Sequence, residues 1–159
     1  MKTILVTGGT GFIGSHASTE LLKKGLNVCI CDSLANSSEK IIFQIKKILE
    51  MDQNLNKGKL FFRKGDLRDK KFIYDMFKEF REKNKKIDGV IHFAGLKSVE
   101  ESLNKPLMYW DINLKSTINL LEIMEDFKCN YLVFSSSATI YKPRNNKKIT
   151  EDCTREPIS

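Results

Sequence analysis

Three glycines at a spacing of three, Gly8, Gly11 and Gly14, sit directly after a β-prone run, Thr3–Thr7, and open an amphipathic stretch over residues 12–24. Few folds accept a turn this tight between a strand and a helix. One glycine permits the turn, the next lets backbone approach a pyrophosphate, and the last lets the helix pack close to a sheet with its N-terminus facing the phosphates. Glycine-rich turns are common; this one gains its weight from its place between a strand and a helix near the start of the chain.

Short apolar runs continue to alternate with helix-length segments as far as residue 135. After a stop at Gly25, residues 26–31, 59–63, 90–94 and 131–135 read as strands, with Asp88-Gly89 as a turn before the fourth. Ile41, Ile42, Ile45, Ile48 and Leu49 recur at helical spacing, as do Phe72, Ile73, Met76, Phe77 and Phe80. A long helix is expected over residues 106–127, burying Leu114, Ile118, Leu121 and Ile123. Strands alternating with helices of this length require parallel pairing. The expected fold is one α/β domain over residues 1–159, a Rossmann-type doubly wound parallel sheet with helices on both faces. After Ser135 the pattern dissolves into a polar segment carrying two of the three prolines. A doubly wound domain normally adds a sixth strand, so the sheet is expected to be incomplete at its C-terminus, with later strands and a substrate domain absent.

Composition excludes several classes. The chain is 41% hydrophobic and 30% charged, as a globular domain is. No apolar run approaches the ~20 residues a membrane span needs, and the N-terminus lacks the apolar stretch of a signal peptide, so the expected location is cytoplasmic. The net charge of +7 comes from lysines spread over helices, among them Lys23-Lys24, Lys46-Lys47, Lys70-Lys71 and Lys85-Lys86. They lack the interleaved aromatics that stack bases, so they read as solvated faces and not as a nucleic-acid surface. A positive field also suits an anionic dinucleotide. Cys29, Cys31, Cys129 and Cys153 have no metal-binding spacing. Cys29 and Cys31 share one face of a strand, where a disulfide would be strained; buried reduced thiols are expected.

Asp32 ends the second strand, eighteen residues after Gly14. A carboxylate there accepts hydrogen bonds from adenosine ribose hydroxyls and repels a 2′-phosphate, which selects NAD over NADP. Asp66, just after the third strand, is a second candidate, at the adenine.

Thr7-Gly8-Gly9-Thr10-Gly11-Phe12-Ile13-Gly14-Ser15-His16 resembles the extended short-chain dehydrogenase/reductases. His92-Phe93-Ala94-Gly95-Leu96-Lys97-Ser98-Val99 and Phe134-Ser135-Ser136-Ser137-Ala138-Thr139-Ile140-Tyr141 narrow the resemblance to the UDP-glucose 4-epimerases. Asp32-Ser33-Leu34-Ala35-Asn36-Ser37 and Gly65-Asp66-Leu67-Arg68 extend it over the whole chain. The resemblance implies that Phe12 and Ile13 line the pyrophosphate loop. Asp32, Ser33, Leu34, Ala35, Asn36 and Ser37 would hold the ribose, and Asp66 with Leu67 the adenine. Phe93, Ala94, Gly95, Leu96 and Lys97 would pass beneath the cofactor near the nicotinamide, with Lys97 near its ribose or a substrate group, and Asn113 would be a structural asparagine. Ser137, with Ala138 and Thr139 beside it, would meet the substrate, and Ser137 would hydrogen-bond the 4-hydroxyl of the hexose and relay its proton. The reaction implied is reversible removal and return of hydride at C4 of UDP-glucose or UDP-galactose through a 4-keto sugar. A homodimer is implied as well. The related 4,6-dehydratases place Thr-Asp-Glu where this chain has Ser137-Ala138-Thr139, which argues against dehydration.

The chain departs from the family in two ways. The family's base is the tyrosine of a Tyr-x-x-x-Lys pair on the helix after the fifth strand. Here Thr150-Glu151-Asp152 and Arg155-Glu156-Pro157-Ile158-Ser159 resemble only its lead-in, so residues 1–159 alone are expected to be inactive. The one such pair present, Tyr74 and Lys78, falls in the helix before the fourth strand and reads as a decoy. Lys142 stands where the family usually has glycine, at the head of a basic segment, 142–148, that has no functional account. His16 and His92 are expected to be structural. Two other readings stay open: a non-catalytic NAD-binding module, and an epimerase for another UDP-sugar.

Overall fold

The computed structural model describes residues 1–52, 56–142 and 148–156. Five parallel strands form one sheet in the order β3-β2-β1-β4-β5: β1 Thr3–Thr7, β2 Asn27–Asp32, β3 Leu60–Lys64, β4 Ile87–His92 and β5 Leu132–Phe134. Helices α1 (Phe12–Lys23), α2 (Lys40–Met51) and α3 (Lys70–Glu82) connect the first four strands. Between β4 and β5 run α4 (Val99–Asn104), α5 (Pro106–Tyr109), a π-helical segment (Trp110–Lys115) and α6 (Ser116–Asp126).

Period-two alternation along the strands builds two cores, one on each face of the sheet. Val6, Val28 and Ile30 pack with Leu22 of α1 and Ile42, Ile45 and Leu49 of α2. Leu5, Cys29, Cys31 and Val90 face the other way, onto Ile73, Met76, Phe77 and Phe80 of α3 and Leu120, Ile123 and Met124 of α6. Cys29 and Cys31 are thus buried thiols on one face, and burial pushes the Cys29 thiol up to about 12. Helix α1 ends where Gly25 N–H bonds the Leu22 carbonyl and Leu26 N–H bonds that of Leu21, a reciprocal C-terminal closure.

Three expectations need correction. Asp88-Gly89 is not a turn: β4 begins at Ile87, whose side chain is buried in the core beside α3 and α6 and so draws the strand start forward. The register against β1 skips a residue there, Thr3 facing Ile87 and Ile4 facing Gly89, and the Asp88 carboxylate takes the Thr3 N–H at 2.8 Å. The helix expected over 106–127 is divided by the π-helical segment and preceded by α4. Of its four expected core positions only Ile123 is buried; Leu114, Ile118 and Leu121 are 46%, 45% and 43% exposed. Apolar residues occur on both sides of α6, so periodicity alone does not choose the face, and the α3 contact buries Leu120, Ile123 and Met124 instead. Beyond β5, whose three residues are all exposed, come a 3₁₀ turn (Ala138–Ile140) and a single antiparallel bridge, Tyr141 to Arg155.

Phe77, 2% exposed between α3 and the sheet, should cost about 3–5 kcal/mol when replaced by alanine. Tyr74 lies on the outer side of the same helix, edge-on to Phe127, and Tyr74→Phe should stay within about 0.5 kcal/mol of the parent. Urea unfolding of both variants checks this, and equal losses would contradict the packing.

Candidate functional site

Parallel pairing brings the carboxyl ends of the strands to one edge, where doubly wound sheets carry their sites. The register sets Cys31 and His92 on either side of Thr7, with Phe134 next to His92. The loops that leave these residues enclose a groove of about 700 Å³.

The glycine turn forms one wall. Gly8 has a φ of +64°, its N–H bonds the Cys31 carbonyl at 2.9 Å, and a Cβ on it would lie 2.7 Å from Ala94 N. A Cβ on Gly14 would overlap the Gly8 carbonyl and come within 2.8 Å of Gly9 Cα. Gly11 is the N-cap of α1 and supplies no side-chain cap. The first-turn N–H groups of α1, from Phe12, Ile13 and Gly14, therefore have no capping side chain, the arrangement that draws a phosphate. All five of these residues line the groove.

Asp32 joins this turn to the loop after β2. Its Oδ2 accepts from Thr10 N at 3.1 Å, and its Oδ1 from Leu34 N at 2.9 Å and Ser37 Oγ at 3.2 Å. Ser37 Oγ also lies 2.7 Å from Thr10 Oγ1. Asp32, Ser33, Ala35 and Asn36 line the groove; Leu34 and Ser37 do not, and hold the carboxylate instead. Leu34 adopts a φ of 61° to bring its N–H to Asp32.

Asp66 and Leu67 line the groove after β3, together with a residue that sequence reasoning passed over, Arg68. Its guanidinium forks onto Asp66 through Nε (3.0 Å) and Nη2 (2.7 Å), and reaches Asp111 in the π-helical segment through Nη1 (2.7 Å). Arg68 beside them holds both carboxyls below the usual range. Nothing local in the sequence links residues 68 and 111, so no signal could have found this bridge.

Phe93, Ala94, Gly95, Leu96 and Lys97 all line the groove, as does Asn113. Asn113 clamps Leu96 by accepting its N–H at Oδ1 (2.7 Å) and donating Nδ2 to its carbonyl (2.9 Å). His92 is 1% exposed, its Nδ1 2.6 Å from Thr7 Oγ1 and its Nε2 3.0 Å from Thr117 Oγ1. Burial lowers its pKa from 6.5 to about 4, so the ring is neutral.

Ser137 closes the far end of the groove. Its Oγ lies 2.7 Å from Thr139 Oγ1 and accepts Thr139 N–H at 3.2 Å. Thr139 thus reaches the groove through Ser137. Ala138 occupies the 3₁₀ turn between them, and its side chain lies outside the described residues, as do positions 143–147 of the basic segment and 157–159 of the lead-in. Tyr74 and Lys78 sit on α3 and take no part in the lining. Among the described residues no cluster of three or more His, Cys, Asp or Glu is placed to hold a metal ion, and no helix is long and apolar enough to cross a membrane.

Comparison with known proteins gives this geometry a context. The family model described as GDP-mannose 4,6 dehydratase matches residues 5–159. UDP-glucose 4-epimerase 1 of Oryza sativa subsp. japonica is 44% identical over 99% of this chain and 43% of its own length. A bifunctional UDP-glucose 4-epimerase and UDP-xylose 4-epimerase of Arabidopsis thaliana is 46% identical over 88% of this chain and 38% of its own. The crystal structure of UDP-glucose 4-epimerase from Bifidobacterium longum in complex with NAD+ and UDP superposes with a TM-score of 0.86 at 39% identity, covering 98% of this chain and 43% of that one. The chain therefore spans about two fifths of the length of these relatives.

Two outcomes are expected from the site's geometry. Gly14→Ala should lower the thermal midpoint by several degrees more than Gly11→Ala, whose Cβ would meet only the Gly8 carbonyl oxygen, at 3.2 Å; equal shifts in a melting experiment would contradict the tight turn. His92 has a folded pKa below its unfolded one, so the unfolded chain takes up a proton first. Stability should fall as pH drops from about 6.5 and level off near 4, by roughly 3 kcal/mol in all. Urea midpoints measured between pH 7 and 5 should show this slope, and His92→Gln should flatten it; an unchanged slope would contradict a buried neutral ring.

Proposed function

The chain belongs to the GDP-mannose 4,6-dehydratase family of extended short-chain dehydrogenase/reductases, and from that premise we propose that the complete protein is an NAD-dependent UDP-glucose/UDP-galactose 4-epimerase. The observation that carries the reading is the groove itself, with the uncapped start of α1 and the Asp32 carboxylate on one side and the Ser137 hydroxyl at its far end.

The residues fit a dinucleotide. A side chain at Gly8 or Gly14 would collide with backbone in the turn, and the first-turn N–H groups of α1 are left for phosphate oxygens. Asp32 keeps a lone pair on Oδ2 after accepting Thr10 N, available to a ribose hydroxyl and hostile to a 2′-phosphate. Asp66 and Leu67 would hold the adenine, and Phe93 to Lys97 would form the floor beneath the nicotinamide. Bound in this groove, NAD would supply the acceptor for hydride from C4 of the hexose and its donor for return to either face. Ser137 would receive the 4-hydroxyl in a hydrogen bond, and its contact with Thr139 orients its oxygen for that purpose. The dehydratase reading is disfavoured by Ser137-Ala138-Thr139, which offers no acid pair to remove water. The bifunctional relative from Arabidopsis thaliana supports a second possibility, that the substrate range extends to other UDP-sugars. Exposed Trp110, Leu114, Ile118 and Leu121 support the homodimer implied by the resemblance.

Ser137→Ala in the complete protein should lower kcat on the order of 10²–10⁴-fold while NAD affinity changes little; a near-parental rate would remove Ser137 from the proton path. Residues 1–159 expressed alone should give no turnover of UDP-galactose, because Tyr74 lies outside the groove. Turnover lost on Tyr74→Phe would overturn that placement.

A further inference from the structure

The hydrogen bonds around His92 have a direction that the donors and acceptors fix. The Thr117 hydroxyl donates to the Asn113 carbonyl at 2.8 Å, so its oxygen receives the bond from His92 Nε2, which must carry the ring proton. Nδ1 of a neutral ring is then bare and accepts the Thr7 hydroxyl. Thr7 Oγ1 in turn accepts Ala94 N–H at 3.3 Å. The chain runs from Ala94 N–H through Thr7, His92 and Thr117 to Asn113, whose side chain returns to both backbone groups of Leu96. Both ends of one continuous chain thus close on the same loop, two residues apart.

We propose that His92, locked as the Nε2–H tautomer, is a positioning residue that sets the height of the groove floor over residues 93–97. The proposal rests on the reading of the groove as an NAD and UDP-sugar site. Three further observations agree with it. The His92 carbonyl accepts Ser135 N–H at 3.1 Å, and its ring lies 5.7 Å from that of Phe134, so the same residue also fixes the strand end leading to Ser137. Thr117 and Asn113 flank the end of the π-helical segment, an irregularity common at functional sites, and the Asn113 carbonyl is held there by Ser116 N–H as well as by Thr117. The ring is buried and neutral, as accepting the Thr7 hydroxyl requires. Asp32 and the first turn of α1 lie outside this circuit, so its loss acts at the nicotinamide end of the groove, on turnover more than on dinucleotide affinity.

The test is made on the complete protein with Thr117→Val, which keeps the shape of the side chain and removes the link, and Thr117→Ser, which restores the hydroxyl. Thr117→Val should lower kcat about 10–100-fold, the scale of a small misplacement of reacting groups, while the NAD dissociation constant stays within about threefold. Thr117→Ser should recover most of the rate. Long-range ¹H–¹⁵N correlation spectra of the histidine rings should show His92 as Nε2–H in the parent and a changed tautomer balance in Thr117→Val, with the Leu96 amide and the Asn113 side-chain amide shifted together. The proposal is overturned by a parental kcat in folded Thr117→Val, by an Nδ1–H tautomer in the parent, or by unmoved Leu96 and Asn113 signals. A parent that binds no NAD and turns over no UDP-sugar would refute the functional reading alone, since the ring and amide spectra still decide whether the circuit positions the loop.

Discussion

The approach of Gly8 to the backbone of Ala94 is the contact on which the rest of this structure depends. Strand β1 lies between β2 and β4, and its last residue, Thr7, is in register with Cys31 on one side and His92 on the other. The chain must leave that crowded row at once. It does so with a positive φ at Gly8 and a Cβ-free surface against the loop after β4. Any side chain there would push the loop 93–97 away from the turn and separate the two walls of the groove.

From this contact, polar groups fasten each loop to its neighbour. Asp32 binds the glycine turn to the loop after β2 through Thr10, Leu34 and Ser37. Arg68 ties the loop after β3 to the π-helical segment through Asp66 and Asp111. His92 and Asn113 bind the loop 93–97 to β1, α6 and the π-helical segment. The His92 bond to Thr7 satisfies polar groups that burial would otherwise leave unpaired, and the Arg68 bridge, although partly open to solvent, spans two loops, so the interactions that hold the loops in place also shape the site.

Much of the fold was legible because local signals agree with it. The glycine spacing, the alternating strands and the apolar stripes of α2 and α3 each identify an element, and the two core faces follow from period two. The glycine turn, Asp32, Asp66, residues 93–97, Asn113 and Ser137 were legible as candidate site residues from the resemblance and, for most, from their places at strand ends, and all of them line the one groove. What the sequence hid is tertiary. The buried face of α6 depends on where α3 lies, because Leu114, Ile118 and Leu121 are as apolar as Leu120, Ile123 and Met124. The bulge at Asp88 needs a partner 85 residues away at Thr3. Arg68 and the two-sided role of His92 likewise depend on residues that only the folded chain brings near. Leu34 and Ser37 show a subtler limit: they fall in the segment that the resemblance assigns to a ribose, yet in the fold they hold Asp32.

The central claim is that this groove recognises a dinucleotide through the Asp32 carboxylate and the start of α1. Equilibrium titration of the complete protein with NAD and with NADP tests it most directly. The account predicts NAD bound at least about tenfold more tightly, a difference of about 1.4 kcal/mol, and a preference that shrinks in Asp32→Ala. Equal affinity for the two dinucleotides in the parent protein would contradict it.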